Sequence, residues 1–391
     1  MSFLHGLEVV ESASGLSEVK VNSTSVIGVI GTAPGADVDL YPLNTPVLVS
    51  GSLANVTGLG EDGTIPSALK GIFDQCSAKV VIVRVEQSVN ENAEEGASET
   101  LANVIGSEAG GVYTGMHAFV CAQSLLGYTP KVLIAPGFSN DVSVATELLT
   151  IANRLKAVVV ADAPNSQEEA VTYASTEALA SDRMYVVYPY VVIANNIEVA
   201  ASPYVAGVIA KTDSEVGFWA SPSNKQIAGI IGLSNAVDYS HGDASCVANV
   251  LNEANVTTIV NYDGYRLWGN RTTAGAASKI KFLCVRRTAD AINEAVLNSH
   301  LWAVDRNIVK NYLTEVVESV NAFLRDLKAR GAILHGECKV NKELTTSENV
   351  MAGKVYFDFE FTPAYCAEHV TFTSYLNNDK IEEVLFENLA I

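Results

Sequence analysis

The run KVLIAPGFSNDVSVATELLTIANRLKAVVVADAP, Lys131 to Pro164, decides the fold class. Val132 to Ala135 is a short apolar strand pattern closed by Pro136-Gly137. Val142 to Lys156 spaces Val144, Leu148, Ile151, Ala152 and Leu155 three or four residues apart, which gathers them on one face of a helix. Ala157 to Ala161 is apolar at every position, as a strand covered on both sides must be. A strand, a one-sided helix and a second apolar strand in that order predict an α/β sheet with helices on its faces.

The alternation extends outward from there. Ser25 to Ile30 (SVIGVI) is a buried-strand pattern closed by a turn over 31–35, and Pro46 to Ser50 is another short strand. Residues 66–76 read as a helix opened by Pro66, with Ala68, Leu69, Ile72 and Phe73 apolar, followed by a strand over 80–85. Downstream, 166–180 reads as a helix and 185–192 as a strand interrupted by Pro189. The acidic segment 86–116 has little periodicity and reads as an insertion or outer lobe.

After Lys279 the pattern changes to long helices, 288–301 and 307–330. The second carries Val309, Leu313, Val316, Val317, Val320, Phe323, Leu324 and Leu327 on its buried side. Lys310, Thr314, Glu318, Asn321, Arg325 and Lys328 form the opposite stripe, and Gly331 stops the helix. Residues 355–361 (VYFDFEF) then alternate as a strand, 370–376 reads as the next, and 381–389 as a last one. At the other end Phe3 to Val10 alternates, separated from the rest by the Ser/Gly-containing 12–17. Each end is therefore expected to be an extended β arm on a flexible linker. Phe3, Leu4, His5, Leu7 and Val9 lie in the first, and Ile381, Val384, Leu385 and Phe386 in the second.

The chain has 391 residues, enough for two or three domains with real cores. Its apolar runs fall well short of the roughly 20 residues of a membrane span, and the N-terminus has no basic, then apolar, leader pattern. No membrane insertion and folding in the cytoplasm are expected. The six cysteines are scattered with no C-x-x-C pair, which reads as small buried hydrophobes rather than a disulfide framework or zinc site. A net charge of −19 argues against nucleic-acid binding. Residues 87–130 contain no Lys or Arg, whereas 279–330 hold nine basic and six acidic residues. A basic segment inside an acidic protein reads either as a docking face for an acidic partner or as an ordinary mixed-charge helix.

Catalytic patterns are weak. Gly58-Leu-Gly-Glu-Asp-Gly63 matches the dinucleotide-binding G-x-G-x-x-G, with a helix pattern after it and Glu86 beyond the next strand. The preceding strand ends near Ser50, however, too far away for the tight strand-to-helix turn that presents backbone amides to a pyrophosphate. His241, Asp243 and Cys246 fall within six residues, either as metal ligands or as a loop that caps the following helix through Asp243 or Ser245. Asp162 sits at a strand end, where α/β enzymes place catalytic acids; a turn and helix cap is the competing reading. No catalytic residue, metal site or cofactor is expected. A nucleotide-binding α/β enzyme using residues 58–63 is the alternative.

Three further runs carry more information. They are FLHGLEVVE (3–11), SPYVAGVIAKTDSEVGFWASPSNKQIAGI (202–230) and NYDGYRLWGNRTT (261–273), joined in order by WAVDRN (302–307) and FLRDLKARGA (323–332). Together they resemble the tail sheath proteins of contractile phage tails and R-type bacteriocins, through Trp219, Tyr265, Arg266, Trp268, Asn270 and Arg271 in particular. The resemblance implies a structural protein, not an enzyme. It implies an arm and linker (1–20), an α/β outer domain (21–260), an α+β inner, tube-facing domain (261–376) and a C-terminal linker and arm (377–391). It further implies a helical homopolymer whose arms add strands to neighbouring copies, around an inner tube contacted by Lys310, Arg325, Lys328 and Arg330. Baseplate and tail terminator proteins are the other implied partners, in a virion tail or released contractile particle.

Overall fold

In the computed structural model, residues 19, 21, 23–90, 92–275 and 277–387 are described. The chain runs β1 (Ile27–Thr32), β2 (Pro46–Ser50), α1 (Thr64–Phe73), β3 (Lys79–Val85), α2 (Ala93–Ile105) and the short strands β4 (Glu108–Ala109) and β5 (Val112–Tyr113). It continues through α3 (Ala122–Leu126), β6 (Val132–Ile134), α4 (Val142–Leu155), β7 (Val158–Asp162), α5 (Gln167–Ala174), β8 (Met184–Val187), β9 (Val191–Ile193) and β10 (Ile197–Val199). Then come α6 (Ser202–Glu215), β11 (Gly232–Leu233), α7 (Val247–Glu253), β12 (Val256–Asn261) and β13 (Tyr265–Trp268). The last part holds α8 (Leu283–Ser299), α9 (Lys310–Ala329), β14 (Ile333–Val340), α10 (Ser347–Met351), β15 (Phe357–Pro363) and α11 (Ile381–Phe386).

Eight strands form one sheet in the order β13-β12-β8-β7-β6-β1-β3-β2. The six inner strands are parallel, and an antiparallel strand closes each edge. The run Lys131 to Pro164 supplies β6, α4 and β7, at the centre of this sheet. Because side chains alternate across a strand, each inner strand feeds two cores. Val158 and Val160 of β7 join α1 and α6 on one face, while Val159 and Ala161 join α4 on the other. Strands buried on both faces have no polar face to show, which is why they read as continuous apolar runs.

The acidic segment is an insertion between β3 and β6, but it is helical. Asn92 caps α2 by accepting from the Glu94 and Glu95 amides, whose carboxylates suit the positive helix N-terminus. Its buried face consists of Gly96, Thr100 and Val104, too small and polar to show as a hydrophobic period. β13 is the edge strand beside β12, so the sequence boundary at 260/261 falls inside a hairpin. A cis Tyr188–Pro189 peptide separates β8 from β9, which belongs to a separate three-stranded sheet.

The C-terminal unit packs α8, α9 and the β14–β15 ribbon around Phe218, Ile292, Phe323, Leu324, Leu327 and Ile333. Asn321, expected on the solvent stripe of α9, instead donates to the Cys338 carbonyl at 3.0 Å and accepts from the Cys338 amide at 2.7 Å. Val309, expected inside, precedes the helix and is exposed. Val19 and Val21 pack on this same small core, so the chain enters through it.

An ionic seam joins α8 to the large sheet. Lys131, just before β6, pairs with Glu294 at 2.7 Å, and Arg183, just before β8, pairs with Asp290 at 2.6 Å. Arg286 bridges Asp182 and Asp290 at 3.0 and 2.7 Å. The Arg287 guanidinium grips Asp213 of α6 and donates to the Thr24 carbonyl at 2.9 Å. None of these partners is a sequence neighbour except Asp290 and Arg286, so the seam is invisible to local pattern.

Of the two terminal arms, the first, with Phe3, Leu4, His5, Leu7 and Val9, lies outside the described residues. The C-terminal segment departs from the expected strands: 370–376 forms no ladder, and Ile381–Phe386 is a helix. An extended segment with no partner strand leaves its amides and carbonyls unpaired, whereas a helix satisfies them internally.

Candidate assembly surfaces

The 217–231 segment and the β12–β13 hairpin form one knot. Asn224, Lys225 and Ile227 exchange backbone bonds with Leu267 and Tyr265 along the free edge of β13, with Ile227 donating to the Tyr265 carbonyl at 2.9 Å. The Tyr265 hydroxyl donates to the Ile231 carbonyl at 3.0 Å, and Arg266 Nε to the Tyr262 carbonyl at 3.0 Å. Trp268 meets Tyr239 edge-on, with ring centres 4.9 Å apart. Trp219 lies half-buried on the small core, edge-on to Phe218 and beneath the Arg330 guanidinium at 4.9 Å. Asn270 Nδ2 donates to Cys366 Sγ at 2.9 Å and reaches Cys284 Sγ at 3.3 Å. Arg271 holds Glu368 with two bonds of 2.6 and 2.7 Å. These residues brace the sheet edge, the 217–231 segment and the start of the C-terminal segment against one another.

On α9, Lys310, Arg325 and Lys328 are exposed. Arg325 approaches Glu318 at 3.7 Å, and Arg330 approaches Asp326 at 3.6 Å. Exposed pairs of this kind contribute about 0–1 kcal/mol, so they yield readily to another partner. Lys310 and Lys328 reach no acidic group among the described residues. The β14–β15 ribbon on the far side of α9 has only two strands, and no further strand covers its edges among the described residues. Beyond it, Phe372, Tyr375 and Leu376 are almost wholly exposed, as are much of Ile381, Val384, Leu385 and Phe386. Apolar side chains in that number do not stay in water by preference.

The candidate chemical sites resolve into structure. Residues 58–63 lie between the antiparallel edge strand β2 and α1, with Gly60 packed against Gly35 and Gly63 against Thr32. A Cβ on Gly63, whose φ is +99°, would stand 2.4 Å from the Thr32 carbonyl oxygen. These glycines serve close backbone packing, and a phosphate cradle following a parallel strand is absent there. Asp162 is wholly buried and accepts from the Ser202 amide at 2.7 Å and the Ser202 hydroxyl at 2.5 Å. It therefore tethers the start of α6, forty residues downstream, and burial raises its carboxyl to about 6 despite those bonds. Asp243 accepts from the Ser245 amide and hydroxyl without capping α7, and His241 meets the Tyr239 hydroxyl at 3.0 Å. His241, Asp243 and Cys246 form no ligand cluster among the described residues. His335, Glu337 and Glu360, which no sequence motif singles out, do converge on the outer face of the ribbon, all three exposed.

Three family models cover most of the chain: the tail sheath protein Gp18 domain III N-terminal region at residues 24–85, the phage tail sheath protein central domain at 111–273, and the phage tail sheath C-terminal domain at 276–377. A Pseudomonas aeruginosa (strain UCBPP-PA14) protein assigned as a prophage major tail sheath protein is 38% identical over 98% of this chain and 99% of its own length. The chain belongs to the phage tail sheath family. The tail sheath protein of Escherichia phage P2 is 31% identical over 94% of each chain. Among solved structures, the sheath of an extracellular contractile injection system in its contracted state shares the fold, with a TM-score of 0.72, 16% identity and coverage of 97% of this chain and 99% of that one. This sheath protein is a structural protein and not an enzyme, so the nucleotide-dependent reading of residues 58–63 falls. The matched central domain ends at Thr273 and the C-terminal domain begins at 276, on either side of the point where the chain leaves β13 for α8.

Proposed function

We propose that this sheath protein is the repeating subunit of a helical sleeve that encloses an inner tube and contracts to drive the tube through a target cell envelope. The observation that carries the proposal is where the ends of the chain emerge. Val19 and Val21 at one end pack on the small C-terminal unit, and the other end leaves directly from its β15, in a two-stranded ribbon whose edges no further strand covers among the described residues. Arms 1–20 and 377–391 would complete such ribbons in neighbouring copies, and the helix over Ile381–Phe386 would unwind to pair. A head-to-tail contact that does not close produces a helix of subunits. The 21–260 and 261–376 divisions correspond in this reading to an outer lobe and an inner, tube-facing unit.

In that arrangement Lys310, Arg325, Lys328 and Arg330 face acidic groups on the tube. Weak exposed contacts suit a surface that must slide free, while paired arms keep the lattice whole. Contraction is then a passage from a trapped extended lattice to a more stable compact one, with the domains moving as rigid bodies and no nucleotide consumed. Baseplate and terminator proteins would bound the sleeve, which assembles in the bacterial cytoplasm and travels as part of a virion tail or released particle. Negative-stain microscopy of the expressed chain should show helical tubes; discrete closed complexes would reject the sleeve. Arg325→Glu with Lys328→Glu should abolish assembly around tubes while leaving arm-mediated polymers intact. Unchanged assembly around tubes would remove the tube-facing role of α9.

A further inference from the structure

Asn270 places one amide nitrogen 3.3 Å from Cys284 Sγ and 2.9 Å from Cys366 Sγ, which sets the two thiols side by side around a single donor. Cys284 is buried at the start of α8, whereas Cys366 is partly exposed at the start of the C-terminal segment. The chain on both sides of Cys366 is pinned. Tyr365 donates its hydroxyl to the Lys279 carbonyl at 2.9 Å and stacks edge-on to Phe282, and Glu368 is held by Arg271. The sulfurs are thus kept together by four neighbours that belong to neither cysteine.

We propose that Cys284 and Cys366 are a thiol–disulfide exchange site, with Cys366 the attacking sulfur and Cys284 the resolving one, whose oxidation staples the C-terminal segment to α8. The Asn270 amide donates to Cys366, beside the Cys284 thiol. The neighbouring Cys284 thiol and the Asn270 amide pull Cys366 down to about 7, while Cys366 and burial push Cys284 up, so the partly exposed sulfur is the one that carries thiolate near neutral pH. The co-reactant is a low-molecular-weight disulfide such as oxidised glutathione. Cys366 thiolate attacks one of its sulfurs, forming a mixed disulfide and expelling one glutathione thiolate. Cys284 then loses its proton to that leaving group and attacks Cys366 Sγ, expelling the second glutathione. Two protein thiols are oxidised by two electrons, and one glutathione disulfide is reduced to two glutathiones.

The test treats the full chain with oxidised glutathione at neutral pH and maps its peptides without reduction. The expected product links Cys284 to Cys366 and retains no glutathione. It should form on the order of tenfold faster than adduct at Cys76, which is also partly exposed but pushed up by burial. Cys284→Ala should trap glutathione on Cys366, and Cys366→Ala should leave Cys284 unmodified. Glutathione retained on Cys366 in the unaltered chain would overturn the resolving role. Reaction at Cys76 with none at Cys366 would overturn the site. The unaltered chain alone separates these outcomes, so the test survives a variant that fails to fold.

Discussion

Replacing Arg287 with Met should destabilise the fold by about 3–5 kcal/mol, the cost of leaving a buried charge without its partner. The side chains of Arg287 and Asp213 are 6% and 4% exposed. Arg287 donates to the two Asp213 oxygens at 2.7 and 2.5 Å. In the variant, Asp213 keeps a single side-chain donor, the Thr24 hydroxyl at 2.8 Å, and the Thr24 carbonyl loses Arg287. The loss amounts to roughly two to four powers of ten in the folding equilibrium. Adding Asp213→Leu removes the stranded carboxylate, so the double variant should recover most of the deficit and stand within about 1–2 kcal/mol of the parent chain. Denaturant unfolding of the full chain, followed by tryptophan fluorescence, measures all three. A single variant within about 1 kcal/mol of the parent, or a double variant as poor as the sum of both single losses, would refute the claim that the seam is an unscreened, paired layer.

Asp162 should impose an acid-favoured component on stability. Its carboxyl sits at about 6 in the fold against 3.8 ordinarily, so its contribution is fully present below 3.8 and is lost as pH rises through about 6. That difference corresponds to about 2 kcal/mol between pH 4 and pH 7. The stability gap between the parent and Asp162→Asn should move in the parent's favour by up to that amount on acidification; a pH-independent gap would contradict the burial argument. Gly63→Ala should cost about 1–3 kcal/mol, because the added methyl meets the Thr32 carbonyl at a backbone angle that L residues avoid. Thermal melting checks it, and an unchanged midpoint would mean that the Thr32–Thr64 junction relaxes freely.

The central sheet is legible in the sequence because β1, β3, β7 and β8 are buried on both faces, and their few polar residues, Thr32, Lys79, Arg84 and Asp162, lie at or next to strand ends where they do not break the apolar run. α9 is legible for the opposite reason: one side, carrying Phe323, Leu324 and Leu327, faces the core and the other faces water. α2 is hidden because Gly96, Thr100 and Val104 do not look like a core stripe. Asp162 does tether a helix start, but that helix lies beyond β8 and β10, and no local rule connects it to Ser202. The run from Tyr265 to Arg271 stands out as a family signature, yet its contacts cannot be read from it. Their partners, Glu368, Cys366 and residues 224–231, are distant in sequence. The expected C-terminal strands do not form in a single chain because strand pattern specifies a willingness to pair and says nothing about where the partner is.

The small C-terminal core holds Val19 and Val21 at the chain's entry and the ribbon from which its far end departs. Load passed from Val19 to β15 therefore has a short path through α8, α9 and that ribbon, without crossing the eight-stranded sheet. The large lobe hangs from this path by the Arg287–Asp213 and Arg183–Asp290 anchors, a cargo swung by the cable rather than a link in it.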